Sequence, residues 1–260
     1  SRIINVPDVL KTLQDLALYH RSLFLFSTSG KEVPFIAVTG SNGKTTSKEL
    51  MHAVLSSTYK TYTTEGNLNN HIGIPLTILK VKQDAEIAII EMGANHQKEI
   101  EAYCTYTMPT HGVITNCGKA HLEGFGGEDG VRKGKGELYD YLRQNKGAAF
   151  VMWDYDYLRK MSEGISIRFT YGTRDADITG IVTSSSGLLE VSITRGADIG
   201  LIKTNLVGEY NLPNILLAVA IGKYFKVPDE KIKTALEHYM PSNSRSQLIE
   251  KDGAKIILDA

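Results

Sequence analysis

The 260-residue sequence has little cysteine, no excess charge of either sign and no long hydrophobic run. Its 29 basic residues balance its 29 acidic residues, so no net charge favours a polyanion and we expect no nucleic-acid partner. The longest apolar run, around Ile215 to Ile221, is far too short to cross a bilayer, and no charged-then-apolar leader opens the chain. We therefore expect no membrane partner.

Cysteine is too sparse to form a structural framework. Cys104 and Cys117 have neither the spacing of a metal site nor the density of a secreted disulfide scaffold. We expect two buried thiols in a reducing compartment, which favours the cytoplasm. Apolar residues make up 42% of the chain, which is enough for a globular core at this length.

Short apolar runs alternate along the chain with segments of helical spacing. The predicted strands are Phe35 to Val38, Ile87 to Ile90, Gly112 to Thr115 and Ala148 to Met152. The predicted helices are Lys48 to Leu55, Lys98 to Tyr106, Gly134 to Arg143, Leu212 to Phe225 and Pro228 to Tyr239. This alternation predicts an α/β fold, a doubly wound and mostly parallel sheet flanked by helices.

Two segments depart from this alternation. Over about 165–207 the runs are rich in Ile, Val and Thr and are broken by Gly and Ser, which predicts a small antiparallel β patch covering one edge of the sheet. Near the start, Pro7 precedes apolar residues at helical spacing from Val9 to Ala17. This predicts an amphipathic first helix with Pro7 at its first position.

The first predicted strand runs directly into a glycine-rich loop that a helix follows. Small residues there let backbone N–H groups turn toward a phosphate, the helix adds its positive end, and Lys44 adds a point charge. Thr45 is then placed to bind magnesium. The predicted binding residues of the loop are Gly40, Ser41, Asn42, Gly43, Lys44, Thr45 and Thr46. The general phosphate loop would have its first glycine at Val38, so the relevant pattern is the shorter Gly-x-x-Gly-Lys-Thr-Thr, with a purely structural turn as the minor alternative.

Polar residues follow the next two predicted strands. Glu91 is expected at the carboxyl edge of the sheet, either as a magnesium ligand or as a solvated strand end. Asn95 and His96 come next and can reach a phosphate oxygen or orient a water, although a lone histidine is more often structural. His121 lies in a second glycine-rich loop at the same edge. Lys135 lies in a segment that reads as a solvated basic turn, and an unmodified ammonium cannot ligate a cation.

Together these segments resemble the Mur ligases, the ATP-dependent amide-forming enzymes of peptidoglycan assembly. The family's phosphate loop, Thr-Gly-x-Asn-Gly-Lys-Thr-Thr, matches residues 39–46. Three further ordered matches are GNLNNHIGIP at 66–75, EMGANH at 91–96 and HLEGFG at 121–126. They are most similar to the members that join D-alanyl-D-alanine to a UDP-N-acetylmuramoyl-tripeptide.

The resemblance implies a role for each matched residue. Lys44 and Thr45 would serve the phosphates of ATP and one Mg²⁺ ion, with Glu91 and His121 as metal ligands. The residues that would line the substrate cleft are Asn69, Asn70, Asn95 and His96. The family carries a carbamylated lysine after its metal-binding histidine, and the Lys-x-Lys-Gly-Glu pattern places it at Lys135. Carbamylation turns an ammonium into a carboxylate, which would let Lys135 hold a second Mg²⁺ ion.

The resemblance also implies contacts to the rest of the nucleotide. The family's Gly-x-x-Asn-x-x-Asn segment, which holds the adenine, matches residues 208–214, with Asn211 and Asn214 as its asparagines and Tyr210 in place of the usual histidine. Asn214 would be the amide contact to the base. Arg245 stands where the family has a nucleotide-binding arginine, and Asp259 matches the aspartate that opens the hinge to the last domain.

The family has three domains, and the resemblance covers essentially one. Residues 1–30 would be the linker and first helix from an absent N-terminal UDP-binding domain, and residues 31–260 the central ATP-binding domain, with the C-terminal domain absent. The implied reaction transfers the γ-phosphoryl group of ATP to the tripeptide carboxylate, and the amine of D-alanyl-D-alanine then attacks the acyl phosphate. Two alternatives stay open: an isolated nucleotide-binding module without ligase activity, and another superfamily ligase such as a folylpolyglutamate enzyme.

Overall fold

The fold is described from a computed structural model that covers residues 3–25, 30, 32–119, 121–241, 247–251 and 254–258, with side chains to residue 241. The strands are β1 Phe35–Thr39, β2 Thr61–Thr63, β3 Ile87–Glu91, β4 His111–Ile114, β5 Ala148–Met152, β6 Ile167–Gly172, β7 Ile178–Ser184, β8 Leu188–Arg195, β9 Leu201–Val207, β10 Gln247–Lys251 and β11 Ala254–Leu258. The helices are α1 Val9–Ser22, α2 Lys44–Ser56, α3 Gly73–Lys80, α4 Glu99–Thr107, α5 Leu122–Phe125, α6 Glu128–Gln144, α7 Asp156–Met161, α8 Leu212–Tyr224 and α9 Asp229–His238.

Nine of these strands form one sheet in the order β2-β3-β1-β4-β5-β6-β7-β8-β9. Neighbours from β2 to β7 pair in parallel, whereas β7, β8 and β9 pair antiparallel. The predicted α/β fold, mostly parallel with a small antiparallel part, is confirmed. The boundary differs, because β6 lies inside 165–207 yet pairs in parallel with β5, and the antiparallel strands extend the sheet. The crossover helix between β5 and β6, α7, has six residues, too few for a periodic pattern in the sequence.

The core lies on both faces of the parallel strands. Every residue of β1, β3 and β5 is buried, as expected of strands covered by helices on both sides. Helix α8 buries all residues from Asn214 to Gly222 and packs against α2 and strands β5 to β7. A helix that is apolar all round belongs in the centre of a domain, so α8 ties the glycine-loop helix to the far strands.

Helix α1 is present, but most of the apolar residues that the pattern placed on its buried face are exposed. Its N-cap is Asp8, whose carboxylate accepts from Lys11 N at 2.9 Å, so Pro7 precedes the cap instead of opening the helix. Val9 is 76% exposed, whereas Ala17 and Arg21 are buried. The Arg21 guanidinium donates to the carbonyls of Thr107 and Met108 at the end of α4. Arg21 therefore docks this helix in place of the expected apolar stripe.

The carboxyl ends of β1, β3 and β4 lie side by side. Val38 is in register with Glu91, and Thr39 with Ile114. The segments that follow these strands therefore leave the sheet at one edge. They are 40–43, 92–96 and 115–121, with residue 120 outside the described residues. This edge carries the residues with candidate chemistry.

Candidate active site

The glycine loop takes a backbone path that side chains would obstruct. Gly40 has φ +142, and a Cβ there would lie 2.0 Å from Thr115 Oγ1. Gly43 has φ +78, and its Cβ would lie 2.9 Å from Asn214 Oδ1. These two glycines let the loop pack against the segment after β4 and the start of α8, and Gly43 immediately precedes the N-terminus of α2. Backbone N–H groups and the positive end of a helix thus meet at the loop, as an anion site requires.

Lys44 folds back over its own loop. Its Nζ donates to Gly40 O at 2.8 Å and to Ser41 O at 3.0 Å. Two cavities meet at this side chain: a larger one of about 1000 Å³ and a smaller one of about 320 Å³ are both lined by Lys44 and Asn69. The ammonium thus stands where it can neutralise an anion shared by both cavities.

Thr45, Asn69 and Glu91 form a cluster on the larger cavity. Thr45 Oγ1 donates to Glu91 Oε1 at 3.2 Å, and Asn69 Nδ2 donates to the same oxygen at 2.8 Å. Glu91 is 1% exposed, and its other oxygen, Oε2, accepts no hydrogen bond from the described residues. The solvated strand end is therefore wrong for Glu91, which is a buried carboxylate with one unsatisfied oxygen.

Lys48 is a member of this cluster that the sequence patterns did not reveal. It lies one turn after Lys44 on α2 and is 2% exposed. Its Nζ is 3.8 Å from Glu91 Oε2 and donates to Thr64 O at 2.8 Å. Thr64 Oγ1 in turn accepts from Glu91 N at 2.9 Å. Lysine is rarely buried without a charged partner, but only the folded chain shows which carboxylate it meets.

The smaller cavity collects most of the remaining predicted residues. Asn70, Asn95 and His121 line it together with Glu99 and Tyr103, while His96 is exposed at its side. The segment 121–126 packs directly on 95–96, since a Cβ at Gly124 would lie 2.3 Å from Asn95 O. Asn70 also has a structural task, because its side-chain oxygen accepts from the backbone of Ile72 and Gly73 at the start of α3.

Lys135 lies behind the wall of the smaller cavity. It is a buried residue of α6, 2% exposed, so the solvated turn is wrong for it. Its Nζ donates to Ala94 O at 3.0 Å and stands 5.0 Å from the centre of the Phe125 ring. Burial, together with the nearby charge of Lys44, lowers the pKa of Lys135 to about 8. This amine is consequently easier to deprotonate than an ordinary lysine.

Asn211 and Asn214 face the glycine loop from the start of α8. Asn214 Nδ2 donates to Asn211 Oδ1 at 2.9 Å, and Asn214 Oδ1 accepts from Ser47 Oγ at 2.9 Å. Both residues line the larger cavity. Arg245 and Asp259 lie outside the residues whose side chains are described.

The far end of the larger cavity was not predicted from the sequence. It is lined by residues at the carboxyl ends of β5 and β6, namely Met152, Asp154, Tyr155, Tyr171 and Thr173. The Asp154 carboxylate accepts from Thr173 N and so joins the two strand ends. The strand-end rule that singled out Glu91 applies equally to Asp154 after β5, and it is the signal that could have found this wall.

The structure brings only some of the predicted metal ligands together. Thr45 and Glu91 are in contact on the larger cavity, whereas His121 lines the smaller one. Within the described residues, no group of three or more His, Cys, Asp or Glu side chains is arranged to hold a metal ion. The predicted metal ligands are Thr45, Glu91, His121 and Lys135. Only Glu91 and His121 belong to these four residue types, so the predicted set could not form such a group.

The remaining expectations concern cysteine and the membrane. Cys104 is buried as predicted, Cys117 is half-buried, and both are free thiols. In the part of the chain that is described, no helix has the length and apolar character needed to cross a bilayer.

Comparison with known proteins finds relatives that match nearly the whole of this chain. A family described as "Mur ligase middle domain" matches residues 38–222. The UDP-N-acetylmuramoyl-tripeptide--D-alanyl-D-alanine ligases of Bacillus subtilis and Escherichia coli are 34% and 35% identical over 99% and 98% of this chain, and over 54% and 57% of their own lengths. The chain thus spans about half the length of the curated relatives it matches.

Two solved structures show the same fold. MurF from Acinetobacter baumannii superposes with a TM-score of 0.87 at 30% identity, over 99% of this chain and 57% of that one. MurF ligase from Thermotoga maritima, solved in complex with ADP, superposes with a TM-score of 0.84 at 26% identity, over 99% of this chain and 58% of that one.

Proposed function

This chain belongs to the Mur ligase family, and on that premise we propose that it is the ATP-binding part of a ligase that adds D-alanyl-D-alanine to UDP-N-acetylmuramoyl-tripeptide. Two curated relatives carry the name of that activity. Because the chain spans about half of each, the complete reaction is proposed for a protein that also has the rest of their length. The observation that carries the proposal is the convergence of the glycine loop, Thr45 and Glu91 on one large cavity.

The larger cavity is assigned to ATP. Its volume, about 1000 Å³, lies at the upper end of the range for small-molecule sites. The glycine loop would hold the phosphates through backbone N–H groups and the N-terminus of α2. Asn211 and Asn214 lie beside that loop, and we assign them to the adenine end, together with Arg245 and Asp259 from the family pattern. A relative with the same fold, from Thermotoga maritima, was solved in complex with ADP, which supports a nucleotide site in this fold.

The Thr45 and Glu91 pair fits a magnesium ion. Mg²⁺ takes oxygen ligands in an octahedron at about 2.0–2.1 Å, so two adjacent ligand oxygens are about 3 Å apart. Thr45 Oγ1 and Glu91 Oε1 are 3.2 Å apart, and Glu91 Oε2 is a buried oxygen without a hydrogen bond. Bound there, the ion would neutralise the triphosphate as the phosphoryl group moves. Thr45 would supply a hydroxyl and Glu91 a carboxylate.

We assign to Lys44 the neutralisation of the negative charge on the transferred phosphoryl group. The γ-phosphate and the acceptor carboxylate are both anions, so their approach requires a cation between them. Lys44 lines both cavities, and we assign the larger one to ATP and the smaller one to the incoming carboxylate. Asn69, Asn70, Asn95 and His96 would then border the acceptor. The resulting acyl phosphate would be attacked by the amine of D-alanyl-D-alanine.

Lys135 is assigned as a carbamate that holds a second Mg²⁺ ion with His121. Carbamylation requires a neutral amine, which adds to CO₂ to form an N-carboxylate and releases one proton. The lowered pKa of Lys135 favours the neutral amine, and its Nζ contacts the carbonyl of Ala94, which lines the smaller cavity. The added carboxylate would give this buried side chain the negative charge that a Mg²⁺ ligand needs.

Residues 31–260 are assigned as the nucleotide-binding domain and residues 1–30 as the segment that leads into it. The family match over 38–222 falls inside the first range. We assign the reaction to the cytoplasm, where free thiols such as Cys104 persist and nucleotide-linked precursors are made.

A single substitution tests the nucleotide assignment. Lys44→Ala removes the ammonium from the glycine loop, and we expect its ATP Kd in the presence of Mg²⁺ to rise at least about tenfold, since a charge-assisted hydrogen bond contributes about 1.5–3 kcal/mol. Lys60→Ala is the matched control, because the Lys60 ammonium is exposed and its ion pair with Asp84 lies on the surface. Calorimetry on this chain measures both variants. Equal Kd values for Lys44→Ala and the native chain would refute the phosphate role.

A nucleotide-binding module without ligation is the alternative that the span of the chain favours, because the relatives carry nearly as much sequence again. Ligation of D-alanyl-D-alanine should be assayed with this chain and with a ligase that contains it in full length. Ligation by the 260-residue chain itself would exclude the module. ATP binding by the chain without ligation would support the module. If the full-length ligase used a different amine in place of D-alanyl-D-alanine, this would indicate a different ligase of the superfamily.

A further inference from the structure

We propose that Lys48 is a positioning residue for Glu91 and that its buried ammonium thereby sets the affinity of this site for Mg²⁺. The inference rests on the proposed metal role of Glu91. It assigns a task to the one charged side chain of the Thr45, Asn69 and Glu91 cluster that neither the phosphate loop nor the strand-end pattern explains.

Lys48 and Thr64 hold Glu91 at both of its ends. Thr64 Oγ1 accepts from the backbone N–H of Glu91 at 2.9 Å, which fixes the end of β3. Lys48 Nζ donates to Thr64 O at 2.8 Å and stands 3.8 Å from Glu91 Oε2, which places its charge beside the carboxylate. All three side chains are buried, so solvent does not screen these contacts.

The two oxygens of Glu91 are held by different forces. Oε1 accepts from Thr45 Oγ1 and Asn69 Nδ2, whereas Oε2 accepts no hydrogen bond from the described residues. The separation of 3.8 Å from Lys48 Nζ is longer than a hydrogen bond, so the ammonium acts on Oε2 through its charge. The ammonium thus helps to hold the orientation of the carboxylate from the Oε2 side, while Oε1 stays beside the Thr45 hydroxyl.

A buried carboxylate without a counter-charge would turn away toward solvent, because an isolated charge in the interior is unfavourable. Lys48 provides that counter-charge whether or not a metal ion is bound. The Glu91 carboxylate is therefore held beside Thr45 before Mg²⁺ arrives. Partners behind a metal ligand commonly change metal affinity by about 10–100-fold when they are removed.

The test separates the charge of Lys48 from its hydrogen bond. Lys48→Gln retains a donor for Thr64 O but has no charge, and Lys60→Gln is the exposed control. The measurement is the Mg²⁺ concentration that gives half-maximal binding of ATP to this chain. We expect about a tenfold rise for Lys48→Gln and less than a twofold change for Lys60→Gln. Nucleotide affinity in EDTA should be the same for both variants and the native chain.

The outcomes distinguish this inference from the proposed function. If ATP binding by the native chain does not respond to Mg²⁺, the proposed metal site and this inference both fail. If the native chain responds and Lys48→Gln responds identically, only the role of Lys48 is refuted, whatever happens to stability.

A second variant covers the case in which Lys48→Gln does not fold. The double variant Lys48→Met with Glu91→Gln removes both charges together. It should fold if Lys48 acts on Glu91, since no uncompensated charge is then buried. Failure of the double variant to fold, although no uncompensated charge is then buried, would show that Lys48 stabilises the protein by something other than its charge beside Glu91 and would overturn the inference.

Discussion

Lys135 is the residue whose surroundings most restrict its chemistry. Its buried Nζ meets a backbone carbonyl and an aromatic ring, and it has no ion pair among the described residues. If the residue works as a carbamate, Lys135→Ala should abolish ligation in the full-length ligase, and a short carboxylic acid added to the assay should restore part of it by replacing the lost carboxylate.

Lys133→Ala is the matched control for this prediction, because Lys133 is an exposed lysine of the same helix. It should keep full activity. A carbon-13 NMR signal from the carbamate should also appear in the native chain incubated with labelled bicarbonate and be lost in Lys135→Ala only. A signal of equal size in that variant would contradict the assignment.

The sequence predicts the location of some site residues and not of others. The glycine loop was predictable because its chemistry is local, and Glu91 because it ends a strand. The partners of Lys48 come from two other segments, and its four-residue separation from Lys44 resembles ordinary helix spacing. The pattern around Lys135 indicates a solvated turn, because a run with three basic residues and two glycines hides which lysine faces inward.

At the scale of elements, the loop between β1 and α2 depends on Gly40. A Cβ there would meet Thr115 Oγ1 at 2.0 Å and Asn116 N at 3.1 Å, so the ends of β1 and β4 would have to separate. We expect Gly40→Ala to reduce the free energy of unfolding by about 2–4 kcal/mol, from overpacking and from the strained positive φ. Denaturant unfolding measures this.

Gly200→Ala separates these two contributions. Gly200 also has a positive φ, +67, but nothing lies within 4 Å of its added Cβ. Its loss should reflect backbone strain alone, about 1–2 kcal/mol. A loss for Gly40→Ala no greater than this would show that the loop has room for the methyl group.

Elements with a clear local pattern were predicted, whereas β2, α3 and α7 were not, and β6 to β9 were predicted only as a patch. Strand β5 and helix α8 match their predicted segments within one residue. Strand β2 has three residues, and helix α3 begins at Gly73 with Pro75 in its first turn, a composition typical of loops. Asn70 and the packing of α3 on α1 and α4 stabilise that helix, and neither contact is visible in a local pattern.

At the scale of the whole molecule, His111 links stability to pH. It lies at the start of β4 among the rings of Phe150, Tyr224 and Phe225. Burial lowers the pKa of His111 to about 4, from an ordinary value of 6.5. The folded protein therefore keeps this imidazole neutral over a range in which the unfolded chain binds a proton.

The sign of the effect follows from proton binding. Between pH 6.5 and about 4 the unfolded state binds more protons, so stability is complete above pH 6.5 and falls as the pH decreases toward 4. The loss should reach up to about 3 kcal/mol. His111→Gln should flatten this part of the profile, whereas His238→Gln, at an exposed histidine, should leave it unchanged. Urea unfolding from pH 7 to 4 measures all three, and a native-like slope in His111→Gln would refute the prediction.

The sheet as a whole was predicted in kind but not in order. Alternating strands and helices indicate a parallel sheet, yet they leave open which strands are neighbours. The order β1-β4-β5-β6 brings the ends of β5 and β6 to the glycine loop and so creates the far wall of the larger cavity. Asp154 and Tyr171 belong to the candidate site for that reason, which only the folded chain supplies.

Lys44 affects the free energy of nucleotide binding through the hydrogen bonds that it makes within its own loop. Its ammonium is already engaged by the carbonyls of Gly40 and Ser41. A phosphate that recruits this lysine must therefore compete with the protein's own backbone, and the measured affinity will be the difference between two sets of charge-assisted hydrogen bonds. Nucleotide binding here exchanges the backbone carbonyls that hold the Lys44 ammonium for phosphate oxygens.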